Sequence, residues 1–154
     1  MKAFLILISF LFLSNSDVLH KDTSLQLEKN GNIVGLPKSF SPANFDINKK
    51  KLRLNNKEIV FPNCVKFYFD EQKNSKLDLS ASWYHSKETM PYYLIFNIEN
   101  KKGSKGYKIL VDLETLDLIY VQKSKTRGIT TYNENIELDE KCLNEYKDNI
   151  KTIN

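Results

Sequence analysis

From Leu77 to Lys123, apolar and polar side chains alternate in successive blocks, the period of strands that turn one face to a core and the other outward. Leu77, Leu79, Ala81 and Trp83 alternate with Asp78, Ser80, Ser82 and Tyr84. Tyr92, Leu94, Phe96 and Ile98 alternate with Tyr93, Ile95, Asn97 and Glu99, and Tyr107, Ile109, Val111 and Leu113 with Lys108, Leu110, Asp112 and Glu114. A fourth strand runs from about Asp117 to Lys123 and puts Ile119 and Val121 on the outward set. Short connections holding Pro91, Gly103 and Gly106 make the arrangement an antiparallel meander. Upstream, "KLRLNNKEIVF" alternates on both sides of Asn55-Asn56, which suits a tight turn, so residues 51–61 are a predicted N-terminal β-hairpin ended by Pro62-Asn63. The preceding Lys49-Lys50-Lys51 reads as a solvated strand edge.

Two stretches follow the helical period instead. In "CVKFYFDEQK", Asn63 suits an N-cap for a short helix from Cys64, although Val65, Phe67 and Phe69 also alternate as a strand would. Near the end of the chain, Asp139 is a good N-cap with Leu138 and Leu143 placed as a hydrophobic staple. Cys142, Leu143, Tyr146 and Ile150 then form one apolar stripe, able to cover the inner sheet face. The predicted fold class is α+β: an antiparallel β-meander of four or more strands, a C-terminal helix packed on one face, and the N-terminal β-hairpin.

"YKILVDLETLDLIYV" resembles a common hairpin whose strands are joined by a V-D-x-x-T-G turn, a motif too widespread to name a family. Leu116 stands where Gly is usual. If the same turn forms, Leu116 must accept positive φ at some cost.

The chain opens with Lys2, an apolar run from Ala3 to Leu13 interrupted only by Ser9, and small residues at Ser14 and Ser16. That is the layout of a secretory signal peptide, residues 1–16. The run of 11 residues falls short of the roughly 20 that cross a bilayer as a helix, so no permanent membrane anchor is expected. Residues 17–45, with Gly31, Gly35, Pro37 and Pro42, read as an irregular lead-in with short strands near Leu25–Leu27 and Asn32–Leu36. Residues 46–154 are then a single domain. Loss of Lys2 with the signal lowers the net charge from +4 to +3, with acids and bases interspersed, which does not suit a nucleic-acid partner. The expected location is periplasmic or secreted. Cys64 and Cys142, the only cysteines, are an even count in an oxidising compartment and favour a disulfide. With 77 residues between them, the link stabilises the fold by roughly 4 kcal/mol in the chain-entropy model. The alternative is a reactive thiol paired with His85.

Candidate chemistry centres on "ASWYHSKETMPYYLIF", which holds the only Trp, His85, Lys87, Glu88 and three Tyr. An enzyme would use His85 as a base beside Ser86 or Glu88, but no nucleophile elbow, phosphate-cradling Gly loop or His pair at metal spacing accompanies it. His20 lies far away in the lead-in. No catalytic activity, cofactor or metal is therefore expected. A binding surface uses the same residues differently: Tyr84 and Tyr93 stand on the outward sets of neighbouring strands, with His85, Lys87 and Glu88 in the bend between them. The competing expectation is that the 51–61 hairpin folds over that face and buries it. The predicted function is a non-enzymatic, exported protein-binding domain, most concretely an inhibitor or immunity protein that occludes a toxin or cell-wall hydrolase. Its partner would be another exported protein, met through Tyr84, His85, Lys87, Glu88 and Tyr93. The first alternative is a small-ligand carrier with a cavity lined by Trp83, Phe96 and Tyr146, and the second is a hydrolase or thiol enzyme using His85.

Overall fold

The computed structural model describes residues 20–70, 76–84, 92–100 and 102–153, without the side chains of residues 20–23, 83, 84 and 92. The signal segment expected at residues 1–16 lies outside them. In chain order the elements are β1 (His20–Leu27), β2 (Ile33–Val34), a 3-10 turn (Lys38–Phe40), β3 (Ala43–Asp46), β4 (Lys51–Leu54), β5 (Lys57–Val60) and α1 (Asn63–Asp70). There follow β6 (Lys76–Tyr84), β7 (Tyr92–Glu99), β8 (Lys105–Asp112), β9 (Leu118–Arg127), β10 (Thr130–Ile136), α2 (Glu140–Asp148) and β11 (Ile150–Thr152).

The chain is α+β. The meander β6 to β9 is the centre of a seven-stranded antiparallel sheet ordered β10-β9-β8-β7-β6-β1-β2. Its inner face carries the apolar set of each strand, paired across as Leu79↔Phe96, Ala81↔Leu94, Phe96↔Ile109 and Leu94↔Val111. A second sheet, ordered β11-β5-β4-β3, contains the expected hairpin, with Asn55 at φ 50° in its turn. The small sheet and α1 meet the large sheet through aromatic rings: Phe96 lies 4.9 Å from Phe45, 5.6 Å from Phe61 at the end of β5 and 5.5 Å from Phe69 of α1 between ring centroids. The hairpin therefore covers the inner face of the large sheet, opposite to the face that the competing expectation had it bury.

Helix α1 shows why period decides over alternation. Val65 and Phe69, four apart, are buried, whereas Phe67, which an alternating strand would group with them, is 55% exposed. The Pro62 carbonyl accepts from the Val65 and Lys66 amides, so the cap position falls on Pro62 and the helix opens at Asn63, one residue earlier than expected. In α2 the Asp139 carboxylate accepts from the Cys142 amide at 2.7 Å, as its sequence position implied. The apolar stripe is narrower than expected: Cys142 and Tyr146 are buried, Leu143 is exposed, and Ile150 belongs to β11. The Asn149 side chain donates to the Val60 carbonyl at 3.0 Å and leads the chain into β11, which pairs with β5. Cys64 and Cys142 form a disulfide, Cα–Cα 6.1 Å, that ties the start of α1 to the first turn of α2.

Two further stretches differ from expectation, and one strained position agrees with it. The stretch read as an irregular lead-in supplies β1, which pairs with β6 from Leu25↔Leu79 to His20↔Tyr84, and β3, whose Phe45 is a core residue. Lys50 is not part of a solvated edge: it turns the chain at φ 50°, and its amine meets Asp70 at 2.9 Å with the side chain 12% exposed. Lys51 pairs with Glu58 at 3.5 Å, and Lys49 alone of the three lies open to solvent. At the β8–β9 turn, Leu116 does take positive φ, 65°. The Asp112 carboxylate accepts from the Glu114 and Thr115 amides, and the Leu116 amide donates to the Asp112 carbonyl at 2.9 Å. The Leu116 side chain is fully buried, and its carbonyl accepts from the Tyr146 hydroxyl at 2.9 Å. Burial thus offsets backbone strain at a position where Gly is usual.

Candidate functional site

The outer face of the large sheet is defined by register. One row runs Ser82–Tyr93–Asp112 across β6, β7 and β8, and the next runs Ser80–Ile95–Leu110–Tyr120 from β6 to β9. A third row is Asp78–Asn97–Lys108–Gln122–Asn135, followed by Glu99–Gly106–Ser124–Asn133. The core shared by the small sheet and the two helices lies on the inner side. Ile95 and Leu110 oppose each other and are 8% and 7% exposed, yet neither belongs to the core cluster. Tyr93 and Tyr120 flank them, both half-buried. The face thus has an apolar and aromatic half at one end.

The other half is polar. Gly106, Lys108, Ser124, Thr131 and Asn133 line a groove of about 270 Å³. Its floor requires glycine, because a Cβ on Gly106 would stand 2.3 Å from the Ile98 carbonyl oxygen. Hydrogen bonds knit this half together: the Gln122 side chain donates to Asn135 at 2.8 Å, Asn97 donates to Ser80 at 3.2 Å, and the Thr126 and Thr131 hydroxyls are 3.0 Å apart.

Of the expected binding residues, Tyr93 is fully described, half-buried on the outer face beside Ile95. Tyr84 is placed by register, two positions beyond Ser82 and opposite His20, with its side chain outside the described set. His85, Lys87 and Glu88 lie outside the described residues. Val121, expected outward, faces inward: it pairs with Ile109 and is 1% exposed. A bulge is the cause. Leu110 opposes Tyr120 while Val111 opposes Leu118, so Ile119 is the extra residue and alternation reverses across it. Tyr120 and Leu110 are the contributors that alternation alone missed or left unused. The apolar run "LIYV" permits either face, and nothing in it marks the bulge.

The carrier and thiol-enzyme alternatives meet physical obstacles among the described residues. The carrier reading needed space between Phe96 and Tyr146, but Phe61 stands between them at 5.6 and 5.9 Å, and Phe96 and Tyr146 are 0% and 1% exposed. Burial pushes the Tyr146 phenol well above its ordinary pKa, with the Asp117 charge adding to the shift, so the ring stays neutral. Both thiols are consumed by the disulfide, leaving none for His85 to activate. Among the described residues, no group of three or more His, Cys, Asp or Glu is placed to hold a metal ion, and no helix is long and apolar enough to cross a membrane. No family model, curated protein or solved structure matches the chain.

Proposed function

We propose that the protein is an exported protein-binding domain, most concretely an inhibitor or immunity protein that occludes a toxin or cell-wall hydrolase, and that it binds through the outer sheet face. The observation that carries this reading is the Tyr93–Ile95–Leu110–Tyr120 patch. In it the half-buried Tyr93 and Tyr120 rings flank the buried Ile95 and Leu110, with a polar margin of Lys108, Gln122 and Ser124. Protein interfaces share that anatomy, with aromatic anchors surrounded by polar residues. Periplasmic or extracellular location, the role of the 85–88 bend and the absence of catalysis belong to the same proposal.

The test is titration of the purified, oxidised protein against peptidoglycan-cleaving enzymes and co-exported toxins, following residual activity. Stoichiometric loss of activity is expected, weakened by Tyr93→Ala and by Lys108→Glu while the melting curve stays near wild type. Equal potency of both variants would remove this face from the account.

A further inference from the structure

We propose that β10 is a self-association edge, through which two copies of this chain join antiparallel about a two-fold axis at Asn133. This concerns the rim of the sheet and does not rest on the protein-binding reading of its face. The seven-stranded sheet ends in β10 on one side and in the two-residue β2 on the other. The small sheet ends in β3, of four residues, and β11, of three. At seven residues, β10 is the longest edge among the described strands, and Thr130 to Asn135 are all exposed. It holds no Lys and no Pro, the residues that usually blunt such an edge.

The register states which backbone groups are open. Arg127 pairs with Thr130 across the two-residue turn Gly128-Ile129, a closing pair that exchanges both hydrogen bonds. Alternation then makes Thr131↔Thr126 a pair without mutual bonds, and Thr126 indeed sends its amide the other way, to the Ser104 carbonyl at 2.9 Å. The amides and carbonyls of Thr131, Asn133 and Asn135 therefore point away from β9. These three positions are symmetric about the middle of the strand. Antiparallel pairing with a second copy sets Asn133 against Asn133 and Thr131 against Asn135, so all three use both open groups.

The side chains suit the same register. Tyr132, 60% exposed, comes to face Glu134 of the second copy, and Thr130 faces Ile136. The one charge in the strand, Glu134, never meets its equivalent, and Lys123 of its own chain stands on its other side. Centring the axis on Asn133 thus avoids a like-charge pair, as cross-strand pairing requires. Because the contact is two-fold and uses the same edge on both copies, it closes at the dimer rather than growing into a fibre.

Sedimentation velocity of the purified, oxidised protein over a concentration series tests this. A monomer–dimer equilibrium is expected in the wild type, with slowed hydrogen exchange at the Thr131, Asn133 and Asn135 amides as the dimer forms. Asn133→Pro removes an amide that the monomer does not use, and Asn133→Lys sets two like charges across the axis. Each is expected to weaken association at least about tenfold without moving the melting midpoint. If the Pro variant fails to fold, the Lys variant decides. A wild type that stays monomeric up to its solubility limit overturns the proposal, as does a dimer that survives Asn133→Lys.

Discussion

Leu116→Gly puts a sign on the competition between backbone strain and burial. A non-glycine residue in the left-handed region costs about 1–2 kcal/mol, and glycine at φ 65° would recover it. Against that gain, a fully buried leucine is lost. Truncating such a side chain costs about 2–5 kcal/mol as transfer and cavity terms combine, and glycine adds about 0.5–1 kcal/mol through the unfolded chain. Burial wins, and the expected net loss is about 2–4 kcal/mol. With a urea m-value of about 2 kcal/mol/M, the midpoint falls by about 1–2 M. Leu116→Ala keeps the strain and most of the cavity, so it should lie within about 1 kcal/mol of the Gly variant, the two differences largely cancelling. Urea unfolding of the oxidised protein followed by fluorescence reads both. A Gly variant as stable as wild type, or more stable, would refute the argument that Leu116 is retained for its packing beneath α2.

The remaining predictions concern other supports of the same fold. Cys142→Ser should destabilise by about 4.5 kcal/mol, from the chain-entropy cost of opening a 78-residue loop, and denaturant unfolding with and without reductant measures it. Tyr146→Phe leaves the buried Leu116 carbonyl without its donor and should cost about 1–3 kcal/mol at neutral pH. Because burial raises the Tyr146 pKa in the folded state, folded protein holds that proton more tightly than unfolded chain does. Its contribution is therefore complete below the ordinary tyrosine value of about 10 and is lost as pH rises beyond it, so the alkaline fall in stability should be shallower in Tyr146→Phe. Asp139→Ala removes the carboxylate that caps α2, and a melting experiment should show a loss of about 1 kcal/mol.

What the sequence made legible was whatever rests on strict periodicity. The β6–β8 strands alternate cleanly, and their inward and outward sets are found where alternation put them. The Asp139 cap and the Asn55 turn are local chemistry and were equally plain. The hairpin's side of the sheet was not, because β4 and β5 carry a generic apolar set whose partner, the Phe96 surface, is chosen only in three dimensions. β10 was invisible for a different reason. Its exposed "TTYNEN" has no apolar alternation, and it is a strand only because β9 offers it a ladder. The candidate face was half legible: Tyr93 and Ile95 follow from alternation, whereas Tyr120 depends on a bulge that shifts parity between Leu118 and Val121.

Binding is read most directly from an isotherm between the oxidised protein and a hydrolase or toxin that it inhibits, repeated with Tyr93→Ala. One-to-one binding is expected, and Tyr93→Ala is expected to weaken it at least about tenfold at unchanged melting temperature. Capture that is indifferent to Tyr93, or no capture of any such enzyme, would contradict the proposed function.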